Sequence, residues 1–311
     1  MRTANVAVSS PATSSPSLQL PLPVMVAAFC LLWASAFAVA KLAIADCPPL
    51  IVLTARFLLA GAVILGAAAL FGMRLNLSRR ELLLFALLGI ANQAVYLGLS
   101  YVGIRSTSSG LAALVISANP VLTAVLAVAF LDERMTWRKA MGLLLGVGGV
   151  AFVVESRMAG GVDHPVGIAL LLAALVSLVG GTILYKKFAP SGGGLWVGNG
   201  VQSLAAGLAT LPFAFAFESV GDIVPSWRLA ASLAYLALFV SIFAYLLWFH
   251  LLNVSGATAA SSYHFMMPPL GLLFGWLLLG EQVALTDLIG IVPVALGIYL
   301  VTRPTSSRNA Q

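Results

Sequence analysis

The side chains in this sequence that could handle a solute gather around two prolines. Asn119 immediately precedes Pro120, and His264 stands four residues before Pro268. A proline has no N–H for the carbonyl four residues back, so each site sets a polar side chain beside interrupted backbone. Asn92, Tyr96 and Ser100 recur at helical spacing with Gln93 alongside, and Ser241, Tyr245 and Trp248 make a second stripe. Asn199, Gln202 and Ser203 cluster further on, and Trp33, Phe37 and Lys41 follow one another at i, i+4, i+8. This is binding chemistry: aromatic walls and neutral hydrogen bonds, suited to a small, partly apolar or zwitterionic solute. The candidates for substrate contact are Trp33, Asn92, Tyr96, Asn119, Tyr245 and His264. Each stripe also fits plain helix packing, and His264 fits a hydrogen bond to a neighbouring helix. If a cavity residue titrates near neutral pH, His264 is the one whose ordinary pKa allows it.

The charged residues narrow the chemistry further. All ten acids, Glu133 and Glu281 among them, fall at the ends of apolar runs or between them. No carboxylate stands at mid-depth to relay protons, and there is no HExxH motif or paired Asp for a hydrolase. No residue set calls for a metal or a cofactor. Glu133 and Glu281 read as solvated loop charges, and Lys41 as a side chain that snorkels outward. Arg56 differs, because helical rise puts it about 10 Å into its run. A cation there costs about 2.5–3.5 kcal/mol on insertion scales, so it should face protein or water and fix its helix in place.

Such residues need elements that hold them in a membrane. Of 311 residues, 61% are hydrophobic and 8% charged, and the mean hydropathy is +1.04. A soluble domain carries about 25% charged residues. The apolar runs are about 20 residues long, which favours membrane helices over barrel strands. Ten spans are expected, at 22–44, 49–71, 81–103, 107–131, 137–155, 165–185, 194–217, 227–252, 256–280 and 284–302. Residues 1–21 and 304–311 read as tails. The net charge of +6 does not point to nucleic acid, because the basic residues sit in short loops. With ten spans, Arg2, Arg74, Arg79, Arg80, Arg134, Arg138, Lys139, Lys186, Lys187, Arg303 and Arg308 share the face of the termini. Lys41, Arg105, Arg157 and Arg228 lie opposite, so both termini are expected in the cytoplasm. Cys30 and Cys47 are separated by about 25 Å of helix, too far for a disulfide.

One phrase occurs twice. SANPVLTAVLAVAFLDER (Ser117–Arg134) and FMMPPLGLLFGWLLLGEQ (Phe265–Gln282) align at an offset of 148 residues. Pro120/Pro268, Leu122/Leu270, Leu131/Leu279 and Glu133/Glu281 match, and Gly142/Gly290, Gly149/Gly297 and Val153/Val301 continue the register. Five spans fit in that offset, and an odd number turns the second copy over in the bilayer. The expected fold is therefore an all-α membrane protein of ten helices in two inverted five-helix repeats, 22–155 and 165–303, joined by a linker at 156–164. Halves related this way hold ligands at their interface, and paired Pro or Gly interruptions point to that place. Pro120 and Pro268 are thus expected to shape a central cavity, although a proline kink also serves packing. Three Gly-x-x-x-Gly pairs, starting at Gly142, Gly194 and Gly271, are expected to pack within the chain.

On these residues the chain resembles the drug/metabolite transporter superfamily, specifically its EamA-like ten-span exporters. LLWASAFAVAKLAIADCPPLIVLTARFLLA (Leu31–Ala60) is similar to the family's opening, with Trp33, Phe37, Lys41, Pro48-Pro49 and Arg56-Phe57 in the expected places. STSSGLAALVISANPVLTAVLAVAFLDERMT (Ser106–Thr136) is similar to its fourth span and loop. The resemblance implies alternating access and export of small metabolites, amino acids or drug-like compounds, across the bacterial inner membrane. Proton exchange is the drive it implies, and Met267, where relatives often carry a polar or acidic residue, departs from that. The expected partners are a small-molecule substrate and the lipid bilayer. A passive facilitator of the same fold and an integral membrane enzyme are the alternatives. Substrate, coupling ion, direction and oligomeric state stay open.

Overall fold

The computed structural model describes residues 21–73, 77–132, 135–159, 163–188 and 194–302, and the regular elements among them are all helical. The expected tails (Pro21 apart), Glu133, and Arg2, Arg74, Arg134, Arg303 and Arg308 lie outside the described residues. In chain order the helices are α1 (Leu22–Ile44), α2 (Pro49–Leu70), α3 (Arg79–Gly103), α4 (Ser109–Phe130), α5 (Trp137–Ala159), α6 (Pro165–Phe188), α7 (Leu195–Phe217), α8 (Trp227–Ser255), α9 (Ala257–Leu279) and α10 (Leu285–Thr302). Eight of them, all but α5 and α10, are long and apolar enough to cross a membrane by length and composition. The expected linker at 156–164 begins inside a helix, because α5 continues past Glu155 to Ala159. Backbone hydrogen bonding does not stop where hydropathy falls.

Local chemistry sets the helix ends. Pro49 opens α2 in the first turn, where its missing N–H is no loss. Ser78 and Glu81 close a reciprocal capping box on α3, with Glu81 N donating to Ser78 Oγ over 3.2 Å and Ser78 N to Glu81 Oε2 over 2.8 Å. Ser108 and Ser226 accept from the amides of Leu111 and Leu229 and so cap α4 and α8. Gly280, at φ 66°, ends α9 in the left-handed conformation that suits glycine.

Both expected interruptions exist. Helix α4 unwinds at Ser117–Ala118 ahead of Pro120, and α9 tightens into a 3-10 turn at Tyr263–Met266 ahead of Pro268. The His264 carbonyl that Pro268 cannot serve is taken by the amide of Met267. Two further irregularities carry no proline signal. Helix α3 widens into a π-turn at Ile90–Val95, and α8 does so at Tyr235–Ala244. The 148-residue offset carries the first π-turn into the second, and the α4 break into the 3-10 turn of α9.

Three of the helix pairs that correspond under this offset, α2 with α7, α4 with α9 and α5 with α10, pack against each other and run antiparallel. Thr54 of α2 donates to Thr210 of α7 over 3.0 Å, while Gly200 of α7 lies against Ile64 and Leu65. Gly110 of α4 meets Leu272 of α9, and Ser261 of α9 reaches Thr123 of α4. A Cβ on Gly297 of α10 would fall 2.4 Å from the carbonyl oxygen of Gly142 in α5, while Gly290 meets Val153. Helix α1 lies against α8, and its counterpart α6 lies against α3. Each Gly-x-x-x-Gly pair meets residues of this chain: Gly142 and Gly146 face Gly297, Gly198 faces Phe85, and Gly271 faces Ala113. Cys30 and Cys47 are free and buried, and burial with the nearby Glu218 and Asp46 carboxylates pushes the Cys47 thiol up to about 11.

Candidate functional site

Helices α1, α8 and α9 bring an aromatic cluster to the middle of the bundle. Trp33 lies with its ring centroid 5.1 Å from Tyr245 and 5.5 Å from His264. His264 stands edge-on to Trp248 at 4.8 Å, and Phe29 closes the far side. Edge-to-face contacts of this kind suit the ring quadrupoles. Trp33, Tyr96 and Tyr245 border a central void together with Arg56 and Tyr101. Asn92 joins through its main chain, since Tyr245 donates its hydroxyl to the Asn92 carbonyl over 2.8 Å.

The six residues expected at substrate therefore divide. Trp33, Tyr96 and Tyr245 meet at one void, with His264 packed directly behind Trp33. The Asn92 side chain points instead toward Gly181 of α6. Asn119 lies apart, accepting from Thr123 over 2.7 Å near Ser261. Pro120 and Pro268 are both buried, and Pro268 borders a smaller void beside Gly110 and Leu114. The hollow expected at mid-depth is nearly closed: the central void measures about 20 Å³. Rings in contact gain dispersion that a gap would forfeit, so this arrangement is packed shut around its centre.

Arg56 is 1% exposed and held by hydroxyls. Its Nε donates to Ser241 Oγ over 2.8 Å and its Nη1 to Tyr101 over 2.7 Å. The same Ser241 accepts, through its carbonyl, from Asn199 Nδ2 over 2.9 Å. The π-turns matter here, because Gln93 and Ser241 lie within them, where a 3.6-residue period does not apply. The side-chain polar atoms of Asn92, Gln93, Gln202, Ser203 and Ser100, and His264 Nε2, are buried without a hydrogen-bond partner among the described residues. Polar groups at this depth need a partner or a wet cavity.

A second, larger cavity of about 680 Å³ opens at one end of the bundle, beside Lys41, Arg105, Ser108, Asp163 and Glu281. Lys41 does not snorkel, and Glu281 is no solvated loop charge. The Lys41 ammonium donates to the Thr107 carbonyl over 2.7 Å and to Glu281 over 3.0 Å. Glu281 also accepts from the amide and hydroxyl of Ser109, at 2.9 and 2.8 Å, and from the Gly110 amide at 3.3 Å. Burial raises this carboxyl, but the Ser109 amide, Lys41 and the Ser109 hydroxyl outweigh it and hold the group below the usual carboxylate range. The carboxylate caps the positive end of α4 and ties α1 to α9. Lys41 stands one turn beyond Phe37, so the tie lies between the central void and the end cavity. Two sequence signals bore on this contact: the Trp33–Phe37–Lys41 stripe, and the repeat that pairs Glu281 with Glu133.

The same end carries another tie. Arg228 and Ser226 donate to the Asp46 carboxylate, and the Val224 amide donates to the Asp46 carbonyl over 2.8 Å. The Arg228 and Ser226 hydrogen bonds lower the Asp46 pKa to about 2. A lowered folded pKa means that the tie stabilises the fold above the ordinary pKa, and that this is lost as pH falls through about 2. Asp46→Asn is expected to lower the melting temperature of purified protein at neutral pH. The gap to the native chain should narrow as pH falls from about 4 toward 2; a gap independent of pH would count against the assignment.

Comparison with known proteins follows the same outline. The model of the EamA-like transporter family matches twice, over residues 22–155 and 165–303. An uncharacterized transporter of Archaeoglobus fulgidus is 29% identical over 272 residues, 87% of this chain and 95% of its own. The uncharacterized inner membrane transporter YedA of Escherichia coli K12 is 27% identical, covering 91% of each chain. A protein of Chlamydia muridarum named S-adenosylmethionine/S-adenosylhomocysteine transporter is 28% identical, covering 87% of this chain and 88% of its own. A solved crystal structure shares the fold at a TM-score of 0.69 and 18% identity, over 90% of this chain and 96% of that one. The apolar helices and the doubled family match leave one conclusion: this chain belongs to the EamA-like transporter family and is a multi-pass membrane transporter of the drug/metabolite transporter superfamily.

Proposed function

We propose that the protein exports a small organic metabolite, an amino acid or drug-like compound, across the bacterial inner membrane by alternating access between two inverted five-helix halves. The observation that carries this reading is the antiparallel packing of corresponding helices, α2 on α7, α4 on α9 and α5 on α10. Halves that exchange roles under a two-fold axis have two arrangements of similar energy, one open to each side. The end ties through Glu281 and Asp46 fit one closed side of such a cycle. Both termini then lie in the cytoplasm and the ties face the periplasm, which tags at residue 1 and cysteine labelling at 221 test directly. The Chlamydia relative, named for S-adenosylmethionine, supports a solute with polar and apolar parts.

Counterflow in proteoliposomes, with a panel of amino acids, S-adenosylmethionine and cationic drugs, tests the proposal; no exchange of any solute would defeat it. Uptake down an imposed solute gradient, with and without a protonophore, separates a coupled pump from a passive facilitator of the same fold. His264→Ala removes the ring that buttresses Trp33 and Trp248. It is expected to slow counterflow about tenfold, a loss of about 1.4 kcal/mol, at unchanged protein level. Unaltered kinetics would remove His264 from the site.

A further inference from the structure

We infer that Arg56 is the anion subsite of the transport site and that it selects solutes carrying a carboxylate on an apolar body. The inference rests on the transporter reading and names the substrate class. Arg56 has no carboxylate partner among the described residues, and its Nη2 makes no hydrogen bond among them. Its two partners are hydroxyls that accept from it, Ser241 and Tyr101, and neither donates onward to any described acceptor. Around this one cation the structure therefore collects donors: an N–H edge and two O–H groups, with the unpartnered Ser100 hydroxyl on the helix of Tyr101. An excess of buried donors with a net positive charge is complementary to an acceptor with a negative charge.

The surroundings set the rest of the ligand. Arg56 borders the void with Trp33, Tyr96 and Tyr245, whose rings offer apolar faces to the body of the solute. A single guanidinium balances a single negative charge. The other described cations of this half lie at helix ends, so the site matches a carboxylate better than a phosphate or sulfate dianion. The void of about 20 Å³ requires the rings to part when a ligand enters. The Gly-lined seams of α2 on α7 and the π-turn of α8 border this region and provide the elements that would shift.

The test uses purified full-length protein. Binding of N-acetyl-L-phenylalanine, N-acetyl-L-leucine and phenylacetate, each against its own carboxamide, is read by titration calorimetry and by the shift in melting temperature. The acids are expected to bind about tenfold or more tightly than the amides. Arg56→Gln should abolish that preference, and Arg56→Lys should keep part of it. Equal binding of acid and amide by the native chain, or an acid preference that survives Arg56→Gln, overturns the inference. Should Arg56→Gln fail to fold, Tyr101→Phe decides. It removes one O–H donor and should weaken the acids about three- to tenfold and leave the amides unchanged, and an equal loss for both overturns the inference. Counterflow of solutes without acid-over-amide binding refutes this subsite alone. Acid-over-amide binding without any counterflow refutes the transporter reading alone.

Discussion

Replacing Glu281 with alanine is expected to cost the fold about 2–4 kcal/mol, a drop of several degrees in the melting temperature of purified protein. The magnitude follows from what the carboxylate holds. It accepts from Lys41, from the amide and hydroxyl of Ser109 and from the Gly110 amide, so its loss orphans groups on two helices. The lost helix cap is worth about 1 kcal/mol, and the broken ion pair adds to it. Lys41 and Glu281 keep 30% and 17% side-chain exposure, so water returns part of the difference and the lower half of the range applies. Glu281→Gln keeps one acceptor and should fall between the two. Glu155→Gln, on the exposed side of α5, is the control and should stay within about 0.5 kcal/mol of the native chain. Because the folded pKa of Glu281 is lowered, the contribution is present above the ordinary carboxylate pKa and fades as pH falls through the lowered one. An unshifted melting temperature in Glu281→Ala would show that the tie between α1, α4 and α9 carries no weight.

The second large effect is expected at Gly297. A Cβ there would sit 2.4 Å from the Gly142 carbonyl oxygen and 2.8 Å from the Gly146 amide nitrogen. Both are backbone atoms of a facing helix, so no rotamer change relieves the overlap, and α5 and α10 must move apart. Alanine gains about 1 kcal/mol of helix propensity over glycine, but overpacking costs about 1–3 kcal/mol, occasionally more. The net expectation is destabilisation by Gly297→Ala, and a larger one by Gly297→Leu. Gly148→Ala on α5 meets nothing within 4 Å and should be neutral or stabilising, which isolates the contact from the propensity. Melting curves of the three variants in one detergent decide it. Equal behaviour of Gly297→Ala and Gly148→Ala would mean that the seam is looser than drawn.

Hydropathy and proline act locally, which is why the sequence alone told so much about this protein. A run of apolar residues must satisfy its own backbone in lipid, so the helices were legible to within a few residues, apart from the added turn at the end of α5. Eight of the ten expected spans are long and apolar enough to cross a membrane. Pro120 and Pro268 each follow an interruption of their helices, whereas Pro212 and Pro293 lie inside continuous ones. The depth of Arg56 along α2 likewise follows from counting residues, and the doubled phrase falls on helices that pack together, α4 on α9 and α5 on α10.

Only the tertiary structure decided which side chains face one another. Glu281 finds Lys41 and Ser109 across more than 170 residues of chain, and no property of Glu281 alone distinguishes it from a solvated loop acid. The π-turns at Ile90–Val95 and Tyr235–Ala244 have no composition signal, yet they carry Asn92 and Gln93 on one helix and Ser241 on the other. Trp33, Tyr96, Tyr245 and His264 were legible as aromatic and polar residues at helical spacing. That the rings of Trp33, Tyr96 and Tyr245 close on a void beside Arg56, with His264 behind Trp33 and Asn119 left apart, depends on how α1, α2, α3, α8 and α9 cross. Crossing is set by glycine contacts and ring packing between distant segments, which no local pattern encodes.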